Sequence, residues 1–301
     1  MGILLEDAKN LLEVYVAEGP FQKVLTLGRQ QIFFQPPELA PALKKAGVSA
    51  DRITRFVSST FDRGPADPLF EALGSSEIFS MDVSDYEGAS IRHDLNQSVK
   101  SELHAQFDLV YDGGTLEHVF NFPIAIRNAM EMVKVGGFLV SVTPANNQAG
   151  HGFYQFSPEL FYNVLSSSNG YAVEKMVAIE ISPSHRQYLV ANPTEVRGRV
   201  MFSNSWPVNL FVVAKREKNV SLFSQTPQQT DYAAIWEKSA PKSYLPTATA
   251  PSSDKISIKR RVKQASLTVA PGWIRFLTTF KRVFMDRQTE FRDSKFYRRI
   301  S

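Results

Sequence analysis

The sequence contains no cysteine. Disulfide bonds, thiolate nucleophiles and zinc or iron–sulfur sites with cysteine ligands are therefore excluded. The absence of cysteine is also typical of proteins that work in the reducing cytoplasm, which is the compartment we predict.

Long apolar runs are also absent. Purely apolar stretches extend over only a few residues, whereas a membrane-spanning helix needs about 20. The chain turns acidic at Glu6 and Asp7, which is not the pattern of a secretory signal. With 43% hydrophobic and 21% charged residues, the composition is that of a globular protein with a buried core.

Positive charge is concentrated at one end of the chain. Residues 255–301 contain 13 Lys and Arg against three Asp and Glu, so residues 1–254 are mildly acidic although the whole chain carries +4. The stretch 217–256 is rich in Gln, Ser, Thr, Pro and Ala, a composition that buries too little apolar surface to fold. We therefore predict a domain at 1–216 with an N-terminal helix in 1–20, a linker at 217–256 and a basic tail at 257–301.

Within the tail, residues 271–285 place apolar side chains on one face of a helix and cations on the other. This pattern predicts a basic amphipathic helical extension. It favours docking on the body or on a second copy of the chain, or contact with an anionic membrane, which would place the protein peripherally at the inner membrane surface. Nucleic acid is not a predicted partner, because the aromatic residues are not interleaved with basic ones on one face.

The body alternates between predicted strands and helices. Apolar spacing and capping residues predict helices at 3–18, 37–46, 122–133 and 157–166. Short apolar runs predict strands at 23–27, 53–58, 77–83, 89–93, 107–111, 138–143, 173–181 and 209–214. The alternation predicts an α/β fold with a Rossmann-like, mostly parallel sheet and helices on both faces. In such sheets ligands bind at the carboxyl ends of the strands.

A set of residues at the predicted strand ends follows an ordered pattern. Its members are Asp82, Asp94-Leu95-Asn96, Phe107–Val119, Val135–Phe138 and Thr143-Pro144. In order and spacing they resemble class I S-adenosylmethionine-dependent methyltransferases of the type 11-like group, over roughly residues 22–216. The resemblance implies a seven-stranded sheet and S-adenosylmethionine as cofactor.

The same resemblance implies which residues bind that cofactor. They are Gly28, Arg29, Asp82, Asp94, Leu95, Asp112, Gly113 and Gly114. Asp82 would accept hydrogen bonds from the ribose hydroxyls, and Asp94 would accept one from the adenine amine while Leu95 packs on the ring. The two glycines would let the aminoacyl end of the cofactor approach the backbone closely.

The loop after the first predicted strand departs from the family pattern. Thr26 stands where the family usually has an acid, and only Gly28 remains of its glycine-rich loop. Arg29 or Gln30 could instead hydrogen-bond the cofactor carboxylate, or both could be exposed loop residues. The alternative is a methyltransferase-like binding or scaffold protein without cofactor affinity. A nicotinamide-dependent oxidoreductase is less favoured, because no G-x-G-x-x-G motif follows the strand.

Methyl transfer to a hydroxyl group benefits from a base near the acceptor. The catalytic candidates are Glu117, His118 and His151, although for Glu117 and His118 a structural role stays open. The remaining histidines show no spacing typical of metal ligands and no carboxylate–histidine cluster is apparent, so we expect no metal.

The segment 151–160 indicates the class of acceptor. It resembles the acceptor-side loop and helix of relatives associated with polysaccharide biosynthesis, which implies O-methylation of a saccharide or glycolipid precursor. Tyr154, Gln155 and Phe156 could contact a sugar, and packing of the aromatic rings in the core is an equal alternative. A small-molecule or glycan acceptor is thus the predicted partner, and a homo-oligomer is left open.

Overall fold

The computed structural model describes residues 2–196, 198–232, 291 and 294–300. The strands are β1 Gly2–Ile3, β2 Lys23–Leu27, β3 Gln31–Ile32, β4 Glu77–Asp82, β5 Ile91–Arg92, β6 Phe107–Gly113, β7 Val133–Asn146, β8 Tyr171–Glu180, β9 Gln187–Val190, β10 Val208–Arg216 and β11 Tyr297–Arg299. The helices are α1 Leu5–Glu18, α2 Pro36–Lys45, α3 Ala50–Ser59, α4 Asp67–Ala72, α5 Phe122–Met132, α6 Pro158–Val164 and α7 Pro193–Val196.

Nine of the described strands form one mixed sheet in the order β11-β9-β8-β10-β7-β6-β2-β4-β5. The pairs from β7 to β5 are parallel, and the pairs from β7 to β11 are antiparallel. The predicted α/β class is confirmed, but the prediction of a seven-stranded, mostly parallel sheet is wrong. One reason is that the connection from β8 to β9 is too short for a parallel crossover, so these strands pair as antiparallel neighbours.

The parallel half of the sheet contains a point where the chain reverses its direction of travel. From central β2 the chain adds β4 and β5 on one side, and then returns to add β6 and β7 on the other. A crevice therefore opens at the carboxyl ends of β2, β4 and β6, which is where open α/β sheets bind ligands.

Helices cover both faces of the sheet, as predicted. Side chains of β6 alternate between two cores: Val110 packs with α5 and α6, whereas Leu109 and Tyr111 pack with α1 to α4. Both faces are buried, which explains why this strand is a nearly continuous apolar run.

The predicted helices are found with their ends shifted by no more than two residues, but one predicted strand is wrong. Residues 53–58 lie in α3, which begins after Ser49, whose side chain accepts a hydrogen bond from the Arg52 amide. Phe56 is buried, and Ile53 and Val57 pack beside it. These positions recur at helical spacing, so the β-branched residues belong to one helix face.

The end of the predicted tail is part of the sheet. Tyr297 lies opposite Val190 in the β11–β9 pair, and Phe296 and Tyr297 are both buried. Part of the predicted linker also packs on the body, since Leu222 is buried and its carbonyl accepts a hydrogen bond from Arg127. The amphipathic stretch 271–285 lies outside the described residues. Among the residues that the structure describes, no helix is both long enough and apolar enough to cross a bilayer.

Replacing Tyr297 by alanine is expected to lower the free energy of unfolding by about 3 kcal/mol, the cost of removing a buried aromatic ring. The ring packs edge-on against Phe291 at 5.0 Å between centroids, and its hydroxyl donates to the Met201 carbonyl at 2.6 Å. Tyr297→Phe keeps the ring and should cost about 1 kcal/mol. Urea unfolding measures both, and an unchanged midpoint in Y297A would mean that β11 contributes nothing to folding.

Candidate functional site

A cavity of about 310 Å³ lies at the carboxyl ends of β4 and β5, beside the crevice between β2 and β6. Its lining residues are Met81, Asp82, Val83, His93, Asp94, Leu95, Asn96, Thr115, His118 and Val119. Four of the residues predicted from the sequence, Asp82, Asp94, Leu95 and His118, therefore meet at one cavity. This volume is at the lower end of the range found for small-molecule sites.

The two carboxylates of the cavity are held by short turns. Asp94 is exposed, and its Oδ1 accepts hydrogen bonds from the Asn96 amide at 2.9 Å and the Asn96 side chain at 2.8 Å. These bonds hold the pKa of Asp94 below its usual value. Asp82 is half-buried, with its Oδ1 3.3 Å from the Ser84 amide. The Oδ2 of each carboxylate accepts no hydrogen bond from the part of the chain that the structure describes, and buried Leu95 lines the same cavity.

The loop after β2 takes a different course from a glycine-rich cradle. Gln30 is buried, and its Nε2 donates to the Leu27 carbonyl at 2.6 Å. Its Oε1 has no hydrogen-bond partner among the described residues and would overlap with a Cβ placed on Gly113. The loop then continues into β3, which pairs with β1. Gln30 thus fills the space beside Gly113.

The predicted cofactor residues of this loop lie outside the cavity lining. Gly28 has a positive φ of 70°, and its amide donates to the Met81 carbonyl at 2.7 Å, which ties the loop to β4. Arg29 forms an ion pair with Asp67 of α4 at 3.0 Å. Its guanidinium is therefore directed at the first turn of α4.

Asp112, near the end of β6, fixes the turn that leads to Glu117 and His118. It is fully buried, and its Oδ1 accepts the Thr115 amide at 2.8 Å and the Leu116 amide at 3.3 Å. Its Oδ2 accepts the Ser141 hydroxyl at 2.6 Å. Burial raises the pKa of Asp112 to about 6, although these hydrogen bonds act in the opposite direction. Both oxygens of the Asp112 carboxylate therefore accept hydrogen bonds within the protein, and two of these bonds hold the turn that follows β6.

That turn carries Glu117 and His118 on a short 3₁₀ helix, and a distant loop brings His151 to it. The Phe153 amide donates to the Glu117 carbonyl at 2.9 Å, and a Cβ placed on Gly152 would lie 3.3 Å from His118 Nδ1. His151 Nε2 is 3.5 Å from Glu117 Oε1, and the two imidazole centroids are 5.3 Å apart. The expectation that no carboxylate–histidine cluster exists is therefore wrong, because folding joins residues 34 positions apart.

The electrostatics of this cluster are unusual. Glu117 is fully buried, and neither of its carboxylate oxygens accepts a hydrogen bond from another described residue. Burial, and then the charge of Asp112, raises the pKa of Glu117 to about 8. Burial, and then the neighbouring His151, lowers the pKa of His118. The side chain of His151 is 53% exposed, so the cluster is open to solvent on that side.

Two exposed aromatic residues beside the cluster were missed by sequence reasoning. Phe120 and Phe153 are 72% and 66% exposed and pack edge-on at 5.8 Å between centroids. Nothing in the sequence separates an exposed phenylalanine from a buried one at these loop positions. Of the two alternatives left open for the next three residues, the structure favours packing: Tyr154 donates to the Phe120 carbonyl, the Gln155 side chain accepts the Gln148 amide, and Phe156 is buried.

No protein-family model matches the sequence, and no curated protein matches it at a significant level. Among solved structures, the N-methyltransferase NodS from Bradyrhizobium japonicum is 14% identical with a TM-score of 0.35, and the alignment covers 70% of this chain and 96% of that one. An S-adenosylmethionine-dependent methyltransferase from Mesorhizobium loti is 15% identical with a TM-score of 0.39, covering 69% and 98%. A 1,6-didemethyltoxoflavin methyltransferase from Burkholderia thailandensis, solved with S-adenosylhomocysteine, is 10% identical with a TM-score of 0.34, covering 69% and 76%. Similarities at this level carry no argument about activity.

Proposed function

We propose that this protein is an S-adenosylmethionine-dependent methyltransferase that methylates a hydroxyl group of a saccharide or glycolipid precursor. The observation that carries the proposal is the cavity beside the reversal point of the sheet, whose lining includes Asp82, Asp94 and Leu95. A nucleoside presents hydroxyl and amine donors around a flat apolar ring. Two carboxylates and a leucine are the complementary groups.

The fit of the cofactor can be followed residue by residue. Asp82 would hold the ribose hydroxyls and Asp94 the adenine amine, each through an oxygen not used in its turn. The Oε1 of Gln30, buried without a partner near Gly113, offers an acceptor for the ammonium group at the other end of the cofactor. A buried acceptor without a donor costs free energy, which a cationic ligand would recover.

When bound, S-adenosylmethionine would supply an electrophilic methyl group, to which an acceptor oxygen would bond in line as the carbon–sulfur bond breaks and S-adenosylhomocysteine leaves. Asp82 and Asp94 would orient the nucleoside, and positioning provides much of the rate acceleration in such a reaction. Glu117, His118 and His151 lie at the rim of the same cavity, since His118 lines it. The acceptor hydroxyl would meet this cluster and lose its proton there.

The exposed pair Phe120 and Phe153 supports a saccharide acceptor. The apolar C–H face of a sugar ring packs well on an aromatic ring, while its hydroxyls need polar partners. Here the aromatic pair lies next to Glu117, because the Phe153 amide donates to the Glu117 carbonyl. A basic tail that contacts an anionic membrane would suit a lipid-linked saccharide, and residues 257–301 remain our proposal for that contact.

One observation favours a second candidate, a binding or scaffold protein without cofactor affinity. Gln30 fills the space beside Gly113 that the family uses for the aminoacyl end of the cofactor. If Gln30 cannot shift, only the adenosine moiety would have room. This alternative predicts no binding of either S-adenosylmethionine or its demethylated product.

Isothermal titration with S-adenosylmethionine and S-adenosylhomocysteine separates the two candidates. We expect micromolar dissociation constants, weakened about 10- to 150-fold by Asp82→Ala or Asp94→Ala, because a hydrogen bond to a charged group contributes about 1.5–3 kcal/mol. Asp85→Ala is the matched control, since Asp85 is an exposed carboxylate outside the cavity lining.

Two results would contradict the transferase proposal. The absence of heat at millimolar ligand would favour the scaffold alternative. Binding of a nicotinamide dinucleotide in place of S-adenosylmethionine would favour an oxidoreductase.

A further inference from the structure

The cluster of Glu117, His118 and His151 has the composition of a metal site. Among the described residues it is the one group of three such side chains whose ligand atoms all lie within 4.8 Å of one another. Two imidazoles and one carboxylate form a donor set that zinc and other divalent first-row metals favour. Ligands of a four-coordinate ion lie about 3.3 Å apart, so small side-chain rotations would close the set.

A second and independent observation points to a ligand at this place. The Glu117 carboxylate is fully buried, yet no other described residue donates a hydrogen bond to either oxygen. His151 Nε2 lies 3.5 Å from Glu117 Oε1, which is longer than a hydrogen bond. A buried carboxylate without partners is costly, and coordination to a cation is one of the few ways to offset that cost.

The surroundings leave room for the ion and for further ligands. His151 is half-exposed and stands in a loop whose Gly150 and Gly152 carry no side chains that would cover the site. Gly114 also borders Glu117, since a Cβ placed on it would lie 3.1 Å from Glu117 Oε1. The remaining coordination positions would therefore be available to water or to a substrate oxygen.

We propose that Glu117, His118 and His151 bind one divalent first-row metal ion at the rim of the cavity. This replaces the sequence-based expectation that the protein binds no metal. If the proposed methyltransferase function is correct, the ion can take the acceptor hydroxyl as a further ligand and lower its pKa. That role rests on the proposed function, whereas metal binding itself does not.

The test is titration of the chelator-treated full-length protein with Zn²⁺ and with Co²⁺, in the absence of S-adenosylmethionine. We expect one ion per chain and a Co²⁺ absorption spectrum typical of nitrogen and oxygen ligands. Glu117→Gln and His151→Ala should each weaken binding by at least about 100-fold, since even residues that only support metal ligands cost 10- to 100-fold. His104→Ala is the matched control, because His104 pairs with Glu131 elsewhere.

The variants remain informative about folding. Glu117→Gln replaces a buried carboxyl group whose oxygens accept no hydrogen bond from another described residue, so the metal-free variant should unfold at a temperature no lower than the parent protein. Absence of binding at 1 mM of either metal would overturn the proposal, as would binding that either Glu117→Gln or His151→Ala leaves unchanged. Because no cofactor is present in this titration, a failure of S-adenosylmethionine binding leaves the outcome intact.

Discussion

Replacing Asp112 by alanine is expected to lower the free energy of unfolding by about 5 kcal/mol, the largest loss that we predict for a single substitution. Three donors converge on this carboxylate: the amides of Thr115 and Leu116 and the hydroxyl of Ser141. Each buried donor left without an acceptor costs about 1–3 kcal/mol. The turn that carries Glu117 and His118 would lose its anchor at the same time. Urea unfolding at neutral pH measures the loss.

Asp112→Asn is the matched control for this prediction. Its amide oxygen can accept the two backbone amides, and its NH₂ group can donate to the Ser141 oxygen, so we expect a loss of no more than about 1 kcal/mol. If alanine and asparagine destabilise equally, the carboxylate acts through its charge and not as the acceptor that organises the turn.

Replacing Asp7 by asparagine is expected to stabilise the protein at pH 8 by up to about 4 kcal/mol. Asp7 is buried in the first turn of α1, where burial raises its pKa to about 7 from 3.8. Each pKa unit corresponds to about 1.4 kcal/mol. The rise in the pKa of Asp7 therefore means that its ionisation at pH 8 lowers the free energy of unfolding by about 4 kcal/mol. The amide oxygen of asparagine can still accept the Leu4 amide, which now donates to Asp7 Oδ2 at 3.0 Å.

The sign of this effect sets a pH window. The folded state binds the Asp7 proton more tightly than the unfolded chain, so the favourable contribution is complete below about pH 4 and is lost as the pH rises through 7. Among the neighbouring groups, the Leu4 amide lowers the pKa of Asp7 and the charge of Glu6 raises it, while the charge of Asp7 in turn raises the pKa of buried Tyr111.

Thermal or urea unfolding of Asp7→Asn and the parent protein between pH 4 and pH 8 measures this window. The stability difference should be close to zero at pH 4 and should reach its full size at pH 8. Glu174→Gln, which neutralises an exposed carboxylate, serves as control. The difference in unfolding free energy between this variant and the parent should not change with pH. A variant that is less stable than the parent at pH 8 would show that the Asp7 charge is compensated in the fold.

Local elements of the fold were predictable from the sequence wherever burial leaves a periodic pattern. Strand β2 has the predicted bounds, and α5 ends one residue earlier than predicted, because both bury apolar residues at regular spacing. The pattern misled at residues 53–58, where Ile53, Phe56 and Val57 indicate a strand in a short window but form one face of α3. Short apolar runs fit both periods, and packing against α4 decides between them.

The candidate site was predictable in part. Asp82, Asp94 and Leu95, which the resemblance singled out, line one cavity. In contrast, the sequence left open whether Arg29 and Gln30 contact the cofactor or are exposed loop residues; in the structure Gln30 is buried against Gly113, and Arg29 is engaged by Asp67. The loop leads directly into β3, which pairs with β1, a contact between distant segments that neither segment encodes by itself.

The sequence by itself determined the alternation of strands and helices, because the spacing of apolar residues along a short segment indicates which side chains are buried. It also placed acidic residues after the strands that end at the crevice. Only the tertiary structure decided the antiparallel direction of β8 to β11, the position of Gln30 and the meeting of His151 with Glu117. These features depend on contacts between residues far apart in the chain, and their energies come from shape and charge at the meeting point, which no local pattern contains.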